Sequence, residues 1–127
     1  SRMFRQLELK VPVTIQRAVN GEDGLNQLRQ LVKAKTAPLM VLLDINMPML
    51  NGHEFLSAVR RDEALAPTIV FVLTTSVDPV DVEAAYRAHV AGYLPKTTKL
   101  NPAAHVGQLL AAYAEAVLFP MPRSGVA

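Results

Sequence analysis

Three polar residues stand at the ends of apolar runs, and their types suit one kind of chemistry. Asp44 follows Leu39-Met40-Val41-Leu42-Leu43, Thr74 follows Ile69-Val70-Phe71-Val72-Leu73, and Lys96 follows Gly92-Tyr93-Leu94-Pro95. A strand-end aspartate serves as a nucleophile, a metal ligand or the cap of the next turn, because its side chain also bonds nearby backbone. Taken singly, Thr74 reads as a β-branched strand terminus and Lys96 as a solvated loop lysine. Taken together, a carboxylate, a hydroxyl and an ammonium point to phosphoryl transfer. A phosphoryl group in flight spreads charge over three equatorial oxygens and calls for a cation, a hydroxyl donor and a metal. The residues supply two of those three.

The elements that position them follow from periodicity. Five large apolar residues between Pro38 and Pro48 read as a strand covered on both faces, whose last residue emerges at the carboxyl edge of a parallel sheet. Open α/β sheets place their ligand chemistry at that edge. Ser1 to Leu9 predicts the later part of a helix, with Met3, Phe4 and Leu7 at helical spacing. Val13 to Val19 alternates as a strand, Asn20-Gly21 supplies a turn, and Leu25, Leu28, Leu31 and Val32 share one face of the helix that follows. Lys33 and Lys35 suit its C-terminus, as Glu22 and Asp23 suit its N-terminus. Gly52 to Arg61 predicts a helix facing inward through Phe55, Leu56 and Val59. Asp78-Pro79 starts another, with Val82, Ala85, Tyr86 and Val90 as its stripe and Gly92 as its end. Asn101-Pro102 opens a last helix with Val106, Leu109, Leu110, Tyr113 and Val117 inward. Beyond Leu118, Pro120 and Pro122 predict an extended arm. Strands and helices alternate throughout, which argues a doubly wound α/β fold around a parallel sheet. The domain spans residues 1–118, with an arm at 119–127.

Composition excludes several classes. At 127 residues and 50% hydrophobic content, the chain is one domain with a real core. The formal charge is +2, yet the 13 Lys and Arg are scattered, and no basic stripe suits a nucleic-acid backbone. Arg60-Arg61 is answered at once by Asp62-Glu63 and reads as solvated helix-end charge. The absence of cysteine removes disulfides, thiol nucleophiles and thiolate metal sites. The apolar runs fall short of a membrane span and no signal peptide is visible, so neither membrane nor nucleic acid is an expected partner and a cytoplasmic address is the default. His53, His89 and His105 lack ligand-like spacing and are assigned to the surface or to helix packing.

The segment Leu42-Leu43-Asp44-Ile45-Asn46-Met47-Pro48 with Gly52 resembles the phosphoacceptor turn of bacterial response-regulator receiver domains. Val72-Leu73-Thr74-Thr75-Ser76 is similar to their fourth strand and switch threonine. Gly92-Tyr93-Leu94-Pro95-Lys96 resembles their fifth strand, aromatic switch and lysine. Thr74 lies 30 residues beyond Asp44 and Lys96 lies 22 beyond Thr74, as the family pattern requires. Ala18-Val19-Asn20-Gly21 resembles the end of their second strand. Within the family, Thr74-Thr75-Ser76, Ala91-Gly92-Tyr93 and Phe119-Pro120 look most like single-domain regulators that accompany phytochrome-type kinases.

The resemblance implies that Asp44 accepts a phosphoryl group from a sensor histidine kinase or phosphotransfer protein. It also implies Mg²⁺ on the Asp44 carboxylate and the Asn46 main-chain carbonyl, with Thr74 and Lys96 each holding a phosphoryl oxygen. Thr74 would move inward and the ring of Tyr93 would turn into the vacated space. The expected assembly is a homodimer through the helix from Val80, the strand through Tyr93 and the helix from Pro102, with the C-terminal arm on the partner. The family's fold is flavodoxin-like, with strand order 2-1-3-4-5 and an acidic metal-binding pair after the first strand. The resemblance aligns this chain from a point after that strand and pair, so the expected structure has a gap beside Val13 to Val19, empty or filled by a strand from another chain. Thr97 stands where many receivers have proline, and a cis bond there would cost about 3–4 kcal/mol, so a different loop path is expected. Two other readings stand beside the switch, which is not itself an enzyme. One is a receiver-like interaction module that never takes phosphate. The other is an aspartate-nucleophile phosphohydrolase, weakened by Asn46 where such enzymes carry a second carboxylate.

Overall fold

Four parallel strands stand in chain order across one sheet in the computed structural model, which describes residues 13–35, 38–45, 49–96 and 102–120. They are β1 (Thr14–Ala18), β2 (Leu39–Ile45), β3 (Ile69–Thr74) and β4 (Gly92–Pro95), separated by α1 (Gly21–Lys33), α2 (Met49–Arg61) and α3 (Pro79–Arg87) and followed by α4 (Pro102–Ala116). Every residue of β2 is buried, as a strand covered on both faces must be. Alternation divides the core. Val41, Leu43, Val70 and Val72 pack with Leu28 of α1, Phe55, Leu56 and Val59 of α2 and Ala85 of α3. Met40, Leu42, Phe71 and Leu73 meet Val106, Leu110 and Ala114 of α4 on the other face. The sheet is therefore doubly wound, in a flavodoxin-like α/β fold.

The N-terminal part of the sheet corrects one expectation. Thr14 to Ala18 pairs directly with Leu39 to Leu43, and no gap separates them. A gap would have left two rows of main-chain groups buried and unpaired, at about 1–3 kcal/mol for each group, and direct pairing removes that cost. The segment likened to the family's second strand thus occupies the place beside the Asp44 strand. Residues expected to form a helix at the N-terminus, and the Lys96-Thr97 bond, lie outside the described residues.

Helix ends follow local chemistry, with three departures. The Asn20 side chain caps α1 by accepting from the Glu22 and Asp23 amides at 3.0 and 3.3 Å. Asp78 caps α3, with Pro79 in the first turn, as expected. The first departure is α2, which begins at Met49, so Gly52 lies inside the helix and is buried. The second is α3, which ends at Arg87, five residues before Gly92. Its exit turn uses His89 at φ 63°, and Gly92 opens β4, where a Cβ would stand 3.0 Å from the Phe71 ring. Gly92 is a packing glycine rather than a helix stop. The third is on the helix surfaces, where Tyr86 is 50% exposed and Leu109 39%, so neither lies on the inward stripe assigned to it.

Arg60 explains how that exit turn is held. Its guanidinium donates to the carbonyls of Ala66 and Ala88 at 2.6 Å, Thr68 at 2.8 Å and His89 at 3.0 Å. One fork thus ties α2 to the end of α3 and to the turn before β3, and burial lowers its pKa. The pair read as solvated charge divides: Arg61 is exposed and Arg60 is a clamp. Arg60→Ala is expected to destabilise the fold by about 2–4 kcal/mol, because hydrogen bonds from a charged donor are lost and carbonyls are left without it. Urea denaturation measures this against Arg61→Ala, expected to stay within about 0.5 kcal/mol of the parent.

Candidate functional site

Strand register brings Asp44, Thr74 and Lys96 to one edge. Ile45 lies opposite Thr74 and Thr74 opposite Pro95, and the Lys96 amide donates to the Thr74 carbonyl at 2.7 Å. The Asp44 side chain is 3% exposed. Such a buried carboxylate needs compensating charge, and Lys96 supplies one: its Nζ stands 2.6 Å from Asp44 Oδ1 and 3.4 Å from the Ile45 carbonyl. The approach to Oδ1 is an ion contact outside hydrogen-bonding angles.

The second cation is Arg17 of β1. Its Nε donates to Asp44 Oδ2 at 2.8 Å, and a terminal nitrogen of the same guanidinium contacts that oxygen too. Arg17 lies opposite Leu42, two residues before Asp44, so pleating puts both side chains on the face covered by α4. Sequence reasoning assigned Arg17 no role. A signal was present: Val13, Ile15, Arg17 and Val19 share one face of an alternating strand, and Arg17 is the charge in it.

Thr74 is buried at the end of β3, and its Oγ1 accepts from the Ser76 amide at 3.2 Å. The Tyr93 hydroxyl donates to the Ser76 carbonyl at 3.0 Å, and the Tyr93 amide donates to the Tyr86 hydroxyl at 3.3 Å. Burial pushes the Tyr93 phenol up, with the carboxylates of Asp81 and Asp78 adding to the rise. Both expected switch residues are therefore bonded to Ser76. A groove of about 400 Å³ lies between α1 and α2, lined by Asn20, Glu22, Asn51 and Glu54 among others; Asp44, Thr74 and Lys96 do not line it.

The described residues do not fit Mg²⁺ at Asp44. That ion takes near-octahedral oxygen ligands from carboxylates, water and phosphate, whereas both oxygens of Asp44 face cations. Among the described residues no group of three or more His, Cys, Asp or Glu is placed to hold a metal. Asn46, expected to lend its carbonyl, lies outside the described residues. Where the family resemblance placed acids beside the acceptor, this sheet places Arg17.

The Response regulator receiver domain profile matches residues 2–105. The chain belongs to that family. Among curated relatives of this receiver, the probable methanogenesis regulatory protein FilR2 of Methanothrix harundinacea is 47% identical over 78 residues, covering 61% of this chain and 50% of FilR2. Response regulator Rcp1 of Synechocystis is 41% identical over 64 residues, covering 50% of this chain and 44% of Rcp1. The receiver thus spans about half the length of the curated relatives it matches. The crystal structure of Mn²⁺-bound Rcp1 superposes with a TM-score of 0.59 at 25% identity, covering 84% of this chain and 99% of that one. Response regulator RPA3017, in red light signalling of R. palustris, superposes at 0.63 with 21% identity, covering 90% and 100%; that likeness concerns the fold.

The arrangement of charges around Asp44 is testable without any ligand. A double-mutant cycle joining Arg17→Gln and Asp44→Asn is expected to give a coupling of about 1–3 kcal/mol by urea denaturation. Additive effects would show that the guanidinium and the carboxylate do not depend on each other.

Proposed function

We propose that this receiver domain takes a phosphoryl group from the histidine of a sensor kinase or phosphotransfer protein onto Asp44, in the cytoplasm. In that step an Asp44 oxygen forms a P–O bond as the P–N bond to the donor histidine breaks, and the product is an acyl phosphate. The observation that carries the reading is the buried Asp44 carboxylate at the strand edge, with Lys96 on one oxygen and Arg17 on the other. The attacking oxygen must leave its cation, and the same two cations are then placed to pair with the phosphoryl oxygens. Thr74 keeps its hydroxyl hydrogen available, because its Oγ1 is the acceptor in the bond from Ser76. Moving to the phosphoryl group breaks that bond, and the Tyr93 hydroxyl loses its partner if Ser76 moves with the loop. The likeness to Rcp1, together with the motif resemblance to phytochrome-associated regulators, supports a kinase of the phytochrome class as donor.

The same charges favour a second reading. A carboxylate neutralised by two cations is a weaker nucleophile than a free one, and a receiver held this way would act as an interaction module without phosphate. Acetyl phosphate with and without Mg²⁺, read by intact mass, separates the two. The phosphoryl adduct is expected on the parent protein and lost in Asp44→Asn; an adduct undiminished in Asp44→Asn overturns the assignment, and no adduct on the parent favours the interaction module. Steady turnover of a phosphate ester would instead indicate a hydrolase.

The output surface in this proposal is made by α3, β4 and α4, where a second copy binds. Val80 of α3 is 73% exposed and Val77, in the loop before it, 70%, and Tyr86 of α3 and Leu109 of α4 add apolar area. Leu118 is exposed while Phe119 packs on Tyr113 of its own chain, 6.2 Å between ring centroids. Sedimentation at high micromolar concentration is expected to show a dimer that Val80→Glu converts to monomer. A monomeric parent protein at that concentration removes the dimer from the proposal.

A further inference from the structure

Outside the Asp44 cluster, one chain of polar contacts joins two helix starts that the sequence gives no reason to connect. His53 of α2 places Nε2 3.2 Å from Oδ1 of Asp81 in the first turn of α3. The other oxygen of Asp81 accepts from the Ser76 hydroxyl at 2.7 Å. Ser76 in turn donates its amide to Thr74 Oγ1 and offers its carbonyl to the Tyr93 hydroxyl. Its hydroxyl also accepts weakly from the Asp78 amide at 3.4 Å. Every polar group of Ser76 is thus committed, and the far end of the network is an imidazole at a partly exposed site.

We propose that His53 and Asp81 form a proton-sensitive clasp that sets the resting position of the loop between β3 and α3, with Ser76 as the positioning residue that transmits it to Thr74 and Tyr93. The direction follows from the chemistry of the pair. With a neutral imidazole the contact is a hydrogen bond to a carboxylate; with a protonated one it is an ion pair and is charge-assisted on both sides. Protonation of the imidazole therefore tightens the clasp and deprotonation loosens it. Among the described residues, Tyr93 of β4 feels the charges of Asp81 and Asp78, Asp78 caps the same helix, and Glu54 adjoins His53 along α2. The Ser76 hydroxyl first and His53 second hold the Asp81 carboxyl below its ordinary value. Asp81 therefore stays ionised throughout the ordinary carboxylate range and above it, and its share of the stability is present there and lost as pH falls below that range.

The clasp opposes the movement that phosphorylation would require. For Thr74 to turn toward a group on Asp44, its Oγ1 must leave the Ser76 amide, and Ser76 is tethered through Asp81 to α2. A tighter clasp thus favours the resting loop; this consequence rests on the phosphoryl-acceptor reading, whereas the clasp itself does not.

The test uses the whole, unphosphorylated chain labelled with ¹⁵N and titrated from about pH 5 to 8, the range of imidazole titration. The Ser76 and Tyr93 amide resonances are expected to move with the midpoint of the His53 ring. His53→Gln, which retains a neutral donor, is expected to abolish that movement, as is Asp81→Asn, while spectra of the remaining strands stay unchanged. Ser76→Ala is expected to leave the His53 titration in place and remove its effect on Tyr93. A Tyr93 amide that still follows pH in His53→Gln, or a His53 titration that leaves Ser76 unmoved in the parent, overturns the proposal. Beryllofluoride added at both ends of the range then separates the two readings. If it shifts Thr74 less at low pH, the clasp opposes switching; if it shifts nothing at any pH, the acceptor reading fails and the pH result stands alone.

Discussion

A carboxylate taken out of water at the end of a buried strand constrains everything around it. Asp44 is 2% exposed, and an isolated ionised group there would cost far more than a single domain's whole margin of stability. It is tolerable because Arg17 of β1 and Lys96, just after β4, each bring a cation to one of its oxygens. That delivery depends on register. A slip of one residue in β1 would turn Arg17 to the opposite face, where Ala18 now packs against Gly24, and the Cβ of any other residue at position 24 would stand 2.8 Å from that of Ala18. A polar bond fixes the same register: Gln16, buried on that face, donates to the Gly24 carbonyl at 2.9 Å. The charge pair and the packing of α1 therefore specify one alignment of β1.

What the sequence disclosed well were features carried by runs of neighbouring residues. The β2 and β3 strands are continuous apolar runs, and the Asp78-Pro79 start of α3 is a local capping signal, so their positions were legible without knowing what lies across the sheet. Asp44, Thr74 and Lys96 were legible for the same reason, as the first polar residues after those runs. Features that depend on distant partners were not. Arg60 looks like Arg61 in sequence, and only the fold brings four carbonyls to one guanidinium. His53 and Asp81 lie 28 residues apart on separate helices, with no shared motif.

The misplaced end of α3 has a similar cause. Glycine after an apolar stripe is the ordinary helix stop, because it enters the left-handed region without a steric penalty. Here His89 takes that conformation, and its strain is offset by the bonds its turn makes, including the one from Arg60 to its carbonyl. Gly92 was left for a different need, close approach of β4 to the Phe71 ring. One residue type answers two physical demands, and the pattern alone does not say which.

Placement of β1 beside β2 shows how a local pattern and a global constraint divide the work. The alternation at residues 13–19 marks a strand but carries nothing about its neighbour. Neighbours are chosen by the need to pair every main-chain group of the buried β2, whose one side is taken by β3. The strand that fills the other side brings its own side chains to the edge, and at the position two residues before Asp44 that side chain is an arginine. The electrostatics around Asp44 are thus set by strand pairing: an acid there would have repelled Asp44 and attracted a metal, whereas Arg17 holds Asp44 directly and competes with any metal for the same oxygen.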